Sequence, residues 1–129
     1  MELSEIQKRF EADRFASHMG ARILEAAPGY ARCALTLADW HRNAAGGVMG
    51  GVTFTLADFA FAVAANHEKL GTVSLVSQIN YLGQARGDQL FAEARCDKSG
   101  RTTCLYTIRV TDQEGRLVAQ VATTGFITG

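Results

Sequence analysis

At 129 residues, of which 47% are hydrophobic and 20% charged, the chain has the size and apolar content of one compact domain spanning 1–129, and too little charge for a disordered tail. Thirteen Lys+Arg balance 13 Asp+Glu for a formal net charge of zero, with a pI near 6.8. That balance leaves no basic field to gather nucleic acid or anionic lipid, so neither nucleic acid nor membrane is expected as a partner.

Leu3, Ile6 and Phe10 recur at helical spacing while Glu5 and Arg9 pair on another face, which predicts one amphipathic helix over 3–17. The same segment, MELSEIQKRF, carries acids and lacks the apolar run of a secretion signal. Cys33, Cys96 and Cys104 cannot all pair within one chain, and none stands in a CxxC or Cys/His ligand spacing. They read as small core residues of a protein in the reducing cytoplasm, with no metal site expected.

Pro28-Gly29 has the chemistry of a type II turn, so a hairpin is expected around it. Its second arm alternates, with Ala31, Cys33, Leu35 and Leu37 on one side and Tyr30, Arg32 and Thr36 on the other. Val48 to Ala65 is mostly apolar, but Asp58 stands inside it and Gly50-Gly51 break its start. What remains is short of the roughly 20 residues that cross a bilayer, and it reads as a helix buried in protein. Strands follow at 72–82, 89–98, 102–112 and 116–127, punctuated by Gly87-Asp88, Ser99-Gly100 and Glu114-Gly115. Val73, Leu75, Ile79 and Tyr81 share one face of the first of these; Cys104, Tyr106, Ile108 and Val110 share one face of the third.

The order of helix, hairpin, long apolar helix and antiparallel meander is α+β. A helix apolar on every face must be wrapped, and a curved antiparallel sheet is the element left to wrap it. This is the physical description of a hotdog fold.

Within the buried helix, Asp58 is a lone carboxylate whose burial costs several kcal/mol, so it meets a partner, is protonated, or lines a cavity where it works. Gly50-Gly51 stand at the helix start, where free N–H groups with the macrodipole behind them suit a developing negative charge. The plainer alternative is that these glycines only allow a tight loop and close helix packing.

The run from Asn43 through Gly47, Gly50-Gly51 and Leu56-Ala57-Asp58 resembles the acyl-CoA thioesterases of the hotdog superfamily, in particular the phenylacetate-degradation (PaaI-like) type, relatives of the 4-hydroxybenzoyl-CoA thioesterases. Asn80-Tyr81-Leu82, Gly87-Asp88, Lys98-Ser99-Gly100-Arg101 and the stretch from Asp112 to Ala119 extend the likeness over roughly residues 15–127. The resemblance implies thioester hydrolysis, with Asp58 as nucleophile or general base, the Gly50 N–H polarising the carbonyl, and Asn43 placing water or substrate. It also implies contacts to acyl-CoA from Met49, Gly51 and the turn Lys98, Ser99, Gly100, Arg101, which otherwise reads as an ordinary solvated hairpin turn. Such chemistry needs an oxyanion site and a base or nucleophile but no metal and no cofactor, CoA being part of the substrate.

One departure stands out. The family commonly carries His where this chain has Met49, and a thioether cannot replace an imidazole donor. His41 could compensate if the loop folds back, against a structural role as the alternative. Gly50 and Asp58 are separated by about 12 Å along one helix, so one chain cannot aim both at a single carbonyl. The enzyme reading thus requires at least a homodimer with antiparallel central helices, and a dimer of dimers, a homotetramer, is expected. A non-catalytic acyl-CoA binding or sensing protein is the runner-up, and a hotdog dehydratase, lacking its histidine here, ranks last.

Overall fold

The computed structural model describes residues 1–129. The N-terminal segment forms two helices, α1 (Leu3–Phe10) and α2 (Arg14–Met19), in place of the single helix expected over 3–17. Ile6 and Phe10 are buried from α1, Ala16 and Met19 from α2. At about 100° per residue Met19 would lie opposite Phe10 on one straight helix. A break at Glu11–Asp13, closed by the Asp13 N–H on the Phe10 carbonyl at 3.0 Å, lets both faces reach the core.

Strands β1 (Arg22–Ala27) and β2 (Tyr30–Thr36) form the hairpin around Pro28-Gly29, with Gly29 at φ 75° as the turn requires. Ala31, Cys33, Leu35 and Leu37 are buried as the alternation indicates, and Ala34 is buried as well. A short 3-10 turn at Asp39–His41 leads to the glycine loop and then to α3 (Gly50–Ala65). After it come β3 (Thr72–Tyr81), β4 (Gln89–Ser99), β5 (Thr103–Asp112) and β6 (Leu117–Ile127).

All six strands join one antiparallel sheet in the order β1-β2-β4-β5-β6-β3. The four C-terminal strands are therefore not a simple meander, because β3 lies at the far edge beside β6 and β4 pairs with β2. The crossover is anchored: the Leu82 N–H bonds the Val118 carbonyl at 2.8 Å, and the Arg86 N–H bonds a buried Asp112 carboxylate oxygen at 2.9 Å. This carries the chain across the ends of β6 and β5.

The expected shared face of β3 is also corrected. A bulge between Ser74 and Val76 leaves Val73 opposite Phe126 and Ile79 opposite Val121. Phe126 and Val121 project from opposite faces of β6, so Val73 and Ile79 do too. On β5, Cys104, Tyr106, Ile108 and Val110 are all buried on one face, as alternation implies.

Helix α3 packs against all six strands. Leu56, Ala57, Phe59, Ala60, Phe61, Val63 and Ala64 are buried. The stripe Gly51, Thr55, Asp58, Ala62 and Ala65, spaced as neighbours on one helix face, is only partly covered or exposed. The sheet thus wraps one side of the helix and leaves a second side open. No helix is long and apolar enough to cross a membrane.

Candidate active site

The open side of α3 carries the groups singled out from sequence. Met49 precedes the helix in extended backbone, φ −61° and ψ 134°, and its carbonyl accepts the Val52 N–H at 2.9 Å. The Gly50 and Gly51 N–H groups donate to no acceptor in the chain, as the start of a helix dictates. They stand free at the positive end of a 16-residue helix.

Asp58 sits two turns further along, half-buried, with no ion pair or hydrogen bond to its carboxylate. It lines a cavity of about 230 Å³ with Asp13, Arg14, Phe15, Ala16, Thr55 and Phe59. Burial pushes its proton affinity above the usual carboxylate range, and the neighbouring Asp13 carboxylate adds to the rise. A second cavity of about 280 Å³, lined by Phe15, His18, Met19, Trp40, Met49, Gly51, Val52 and Thr55, adjoins it through Phe15 and Thr55. Together they make one groove along α3, with α2 as its wall, that joins Asp58 to the free helix start. Of the three alternatives open for Asp58, a partner within the chain is absent, while the cavity and the raised proton affinity are both present.

Asn43 lies in the loop before α3. Its Oδ1 accepts the Ala45 and Gly47 N–H groups at 3.0 and 3.1 Å, while its own N–H bonds the Gly47 carbonyl at 2.8 Å. Its side-chain oxygen is therefore committed to holding the glycine loop, which leaves the amide NH₂ for other contacts.

His41 does not compensate for Met49. It is 2% exposed; Nδ1 accepts the Ala38 N–H at 2.8 Å and Nε2 lies 2.8 Å from the Met19 carbonyl. An accepting Nδ1 leaves the proton on Nε2, so both nitrogens are used and the ring is a neutral brace between the loop and α2. Met49 itself is 57% exposed at the mouth of the groove.

The Lys98-Ser99-Gly100-Arg101 turn connects β4 to β5, its Gly100 N–H closing on the Thr103 carbonyl at 2.8 Å. It is exposed and lies at the other end of the molecule. Ser99 lines the largest cavity, about 400 Å³, with Ala64 and Ala65 at the C-terminal end of α3. The cysteines show no sign of activation: burial pushes the Cys33 thiol up to about 12 and raises Cys104 as well, which keeps both protonated.

Two groove residues and one beside the helix start carried no functional assignment from sequence. Phe15 and Trp40, 76% and 63% exposed, are aromatic walls that no spacing rule marks. Tyr81 closes over the helix start, its hydroxyl donating to the Gly50 carbonyl at 2.9 Å. With Asn80 and Leu82 it was part of the family likeness, but it carried no role.

Comparison with known proteins gives the family and the fold. Residues 45–119 match the model of the thioesterase superfamily. The chain is 32% identical over 111 residues to the acyl-coenzyme A thioesterase PaaI of Escherichia coli, covering 85% of this chain and 79% of that protein. The solved structure of the E. coli PaaI protein superposes with a TM-score of 0.90 at 29% identity, over 99% of this chain and 97% of that one. A hypothetical thioesterase protein from Streptococcus pneumoniae TIGR4, solved with coenzyme A, gives a TM-score of 0.82 at 31% identity, over 95% and 97%. The chain belongs to the thioesterase superfamily, and its curved six-stranded sheet around a long helix is the hotdog fold.

Proposed function

We propose that the protein is an acyl-CoA thioesterase that hydrolyses a medium-chain or aryl acyl-CoA to the free acid and CoA, with each active site shared between two copies. One observation carries this: free N–H groups at the start of α3 and an unpaired carboxylate lie on one open helix face, too far apart for a single chain to use on one carbonyl. A second α3 running antiparallel along that face would bring Gly50 of one copy opposite Asp58 of the other. The small side chains at Gly51, Ala62 and Ala65 favour such an approach. So does the free edge of β3, where Val73, Leu75, Val76, Tyr81 and Leu82 are more than half exposed; pairing β3 with β3 across a two-fold axis sets the two helices antiparallel.

In this site the thioester oxygen sits against the Gly50 N–H. Asp58 either adds directly to the carbonyl carbon, giving an anhydride that water then cleaves, or takes a proton from a water that adds there. In both routes the tetrahedral oxyanion is held by the helix start, the C–S bond breaks, and the sulfur leaves as thiolate and is reprotonated. The raised proton affinity of Asp58 makes it a better base near neutral pH. The Asn43 amide NH₂ places water or substrate, and Lys98 to Arg101 hold the CoA phosphates. No cofactor is required. Three free thiols suit a reducing cytoplasm, and a dimer of such dimers is the assembly we propose.

The test is complementation. Asp58→Asn chains and Gly50→Pro chains, each inactive alone, are mixed and allowed to exchange subunits. Random pairing makes half the dimers mixed, and each mixed dimer holds one intact site of two, so roughly a quarter of full activity returns. No recovery after confirmed exchange means the site is built within one chain.

Met49 favours a second reading, a non-catalytic acyl-CoA binder or sensor, since no imidazole stands beside Gly50 and His41 is committed elsewhere. Acyl-CoA binding without thiol release would select it.

A further inference from the structure

Gly50 is covered by one side chain. A Cβ placed there would lie 3.0 Å from the Tyr81 hydroxyl oxygen, 3.2 Å from Cζ and 3.4 Å from Cε1, so the ring of Tyr81 lies directly over the helix start. Its hydroxyl donates to the Gly50 carbonyl at 2.9 Å. That carbonyl belongs to the peptide unit whose other end is the Gly51 N–H. Gly51 is exposed, has nothing within 4 Å of a notional Cβ, and lines the apolar cavity beside Asp58. The phenol thus grips one end of a peptide whose opposite end is an unpaired donor in the groove.

We propose that Tyr81 is a positioning residue for a two-donor oxyanion site formed by the Gly50 and Gly51 N–H groups, acting through the Gly50–Gly51 peptide. It has two effects. The Gly50–Gly51 peptide opens α3 with no side chain of its own to hold it, and the 2.9 Å hydrogen bond and the ring contact add two tethers before substrate arrives. Hydrogen bonding to the carbonyl also draws electron density through the amide and strengthens the N–H at its other end, as in any polarised chain of hydrogen bonds. The neighbouring peptide is served the same way by the backbone, since the Met49 carbonyl accepts the Val52 N–H and the Gly50 N–H is its conjugate. Both donors are therefore backed, one by the helix and one by Tyr81, which stands at the end of β3. An oxyanion site of this kind gains from donors fixed in advance.

The inference rests on the thioesterase reading of Gly50 and Asp58, and the experiment separates the two. Tyr81→Phe keeps the ring over Gly50 and deletes only the hydroxyl. With benzoyl-CoA as substrate, kcat is expected to fall about three- to tenfold, the worth of one hydrogen bond felt in the transition state, with KM within twofold. A spectroscopic readout accompanies it. Benzoyl-CoA labelled with ¹³C at the thioester carbonyl is bound to Asp58→Asn protein, where it persists, and the C=O stretch should lie at lower frequency than in water. Adding Tyr81→Phe to that background should return part of the shift. An unchanged kcat and an unchanged stretch in Tyr81→Phe, with Asp58→Asn inactive, overturn the role of Tyr81 and leave the thioesterase intact. A fall in kcat with no change in the stretch also overturns it, since the loss then comes from elsewhere. Full turnover in Asp58→Asn overturns the underlying reading itself.

Discussion

Replacing Gly50 by proline tests the proposed oxyanion donor with little disturbance of the fold. The preceding residue, Met49, already has the extended backbone, φ −61° and ψ 134°, that the position before proline prefers. Gly50 is the first helical residue, where the fixed φ of proline fits. Its N–H bonds nothing in the chain, so no internal hydrogen bond is lost. The nearest atoms to an added Cβ belong to Tyr81, its hydroxyl oxygen at 3.0 Å and its ring at 3.2 and 3.4 Å, so the phenol must shift slightly; Gly50→Ala forces the same shift while keeping the N–H. The alanine variant is therefore the control.

Loss of one oxyanion donor costs about 2.7–4 kcal/mol, or about 10²–10³ in kcat, and the proline Cδ also intrudes where the oxyanion would sit. Gly50→Pro should fall at least about 10² below Gly50→Ala in thiol release from benzoyl-CoA and hexanoyl-CoA. Its thermal midpoint should stay near that of the alanine variant, because the gain from restricting the unfolded chain, about 0.4–1 kcal/mol, is small. Equal kcat in the two variants would show that the Gly50 N–H does not face the reacting carbonyl.

Asp58→Asn should lower kcat by at least about 10² while the protein becomes more stable at neutral pH, measured by denaturant titration. The sign follows from burial and Asp13 raising its proton affinity: its favourable contribution is complete below the unfolded value, near 3.8, and is lost as pH rises through the folded one. Asp112 has the opposite sign. Burial opposes its charge, but N–H groups of Arg86, Arg116 and Glu114 on its carboxylate hold it below the ordinary range. Its stabilisation should be present above that range and lost as pH falls, and Asp112→Ala should cost about 3 kcal/mol or more by the same assay. Met49→His should raise kcat/KM for aryl or short acyl-CoA by up to about tenfold in a thioesterase. In a sensor it should create hydrolysis where there was none, and no change in a folded, binding variant would mean Met49 does not face the thioester.

Local rules carried much of this architecture. Period-2 alternation placed β2, β4, β5 and β6 to within a residue or two, and the buried faces of β2 and β5 followed from it. The long helix was legible because Gly50-Gly51 interrupt an apolar run at the point where α3 begins. Non-local facts were not legible. The placement of β3 at the far edge depends on the Leu82 and Arg86 anchors to β6 and β5, partners more than 20 residues away in sequence. The bulge at Leu75 that turns Val73 outward has no glycine to announce it. The break between α1 and α2 arises because Phe10 and Met19 must both reach one core, a demand visible only once the core exists. In the groove, Asp58 and the glycines stood out as a charge and a helix start in an apolar segment. For His41 the sequence left a site role and a structural role open, because a histidine with both nitrogens bonded has the same letter as a free one.

The open face of α3 brings together an unpaired carboxylate, two free N–H groups, and exposed aromatic and apolar side chains at Phe15, Trp40 and Met49. Asp112, just as charged and more buried, is by contrast held by three N–H donors. The difference is one of position, since Asp112 sits where the chain can fold back on itself and Asp58 sits where it cannot. A sheet that wraps one side of a helix can seal only that side, and the large core beneath it, from Leu56 to Val63, lets the fold tolerate an unsatisfied carboxylate on the other. A second α3 laid along the same stripe would bring to each carboxylate the one feature its own helix cannot present at that point, a helix start. Under the proposed function, the feature that costs the single chain stability at neutral pH is the one the reaction uses, so a chain stabilised by neutralising Asp58 should be an inactive one.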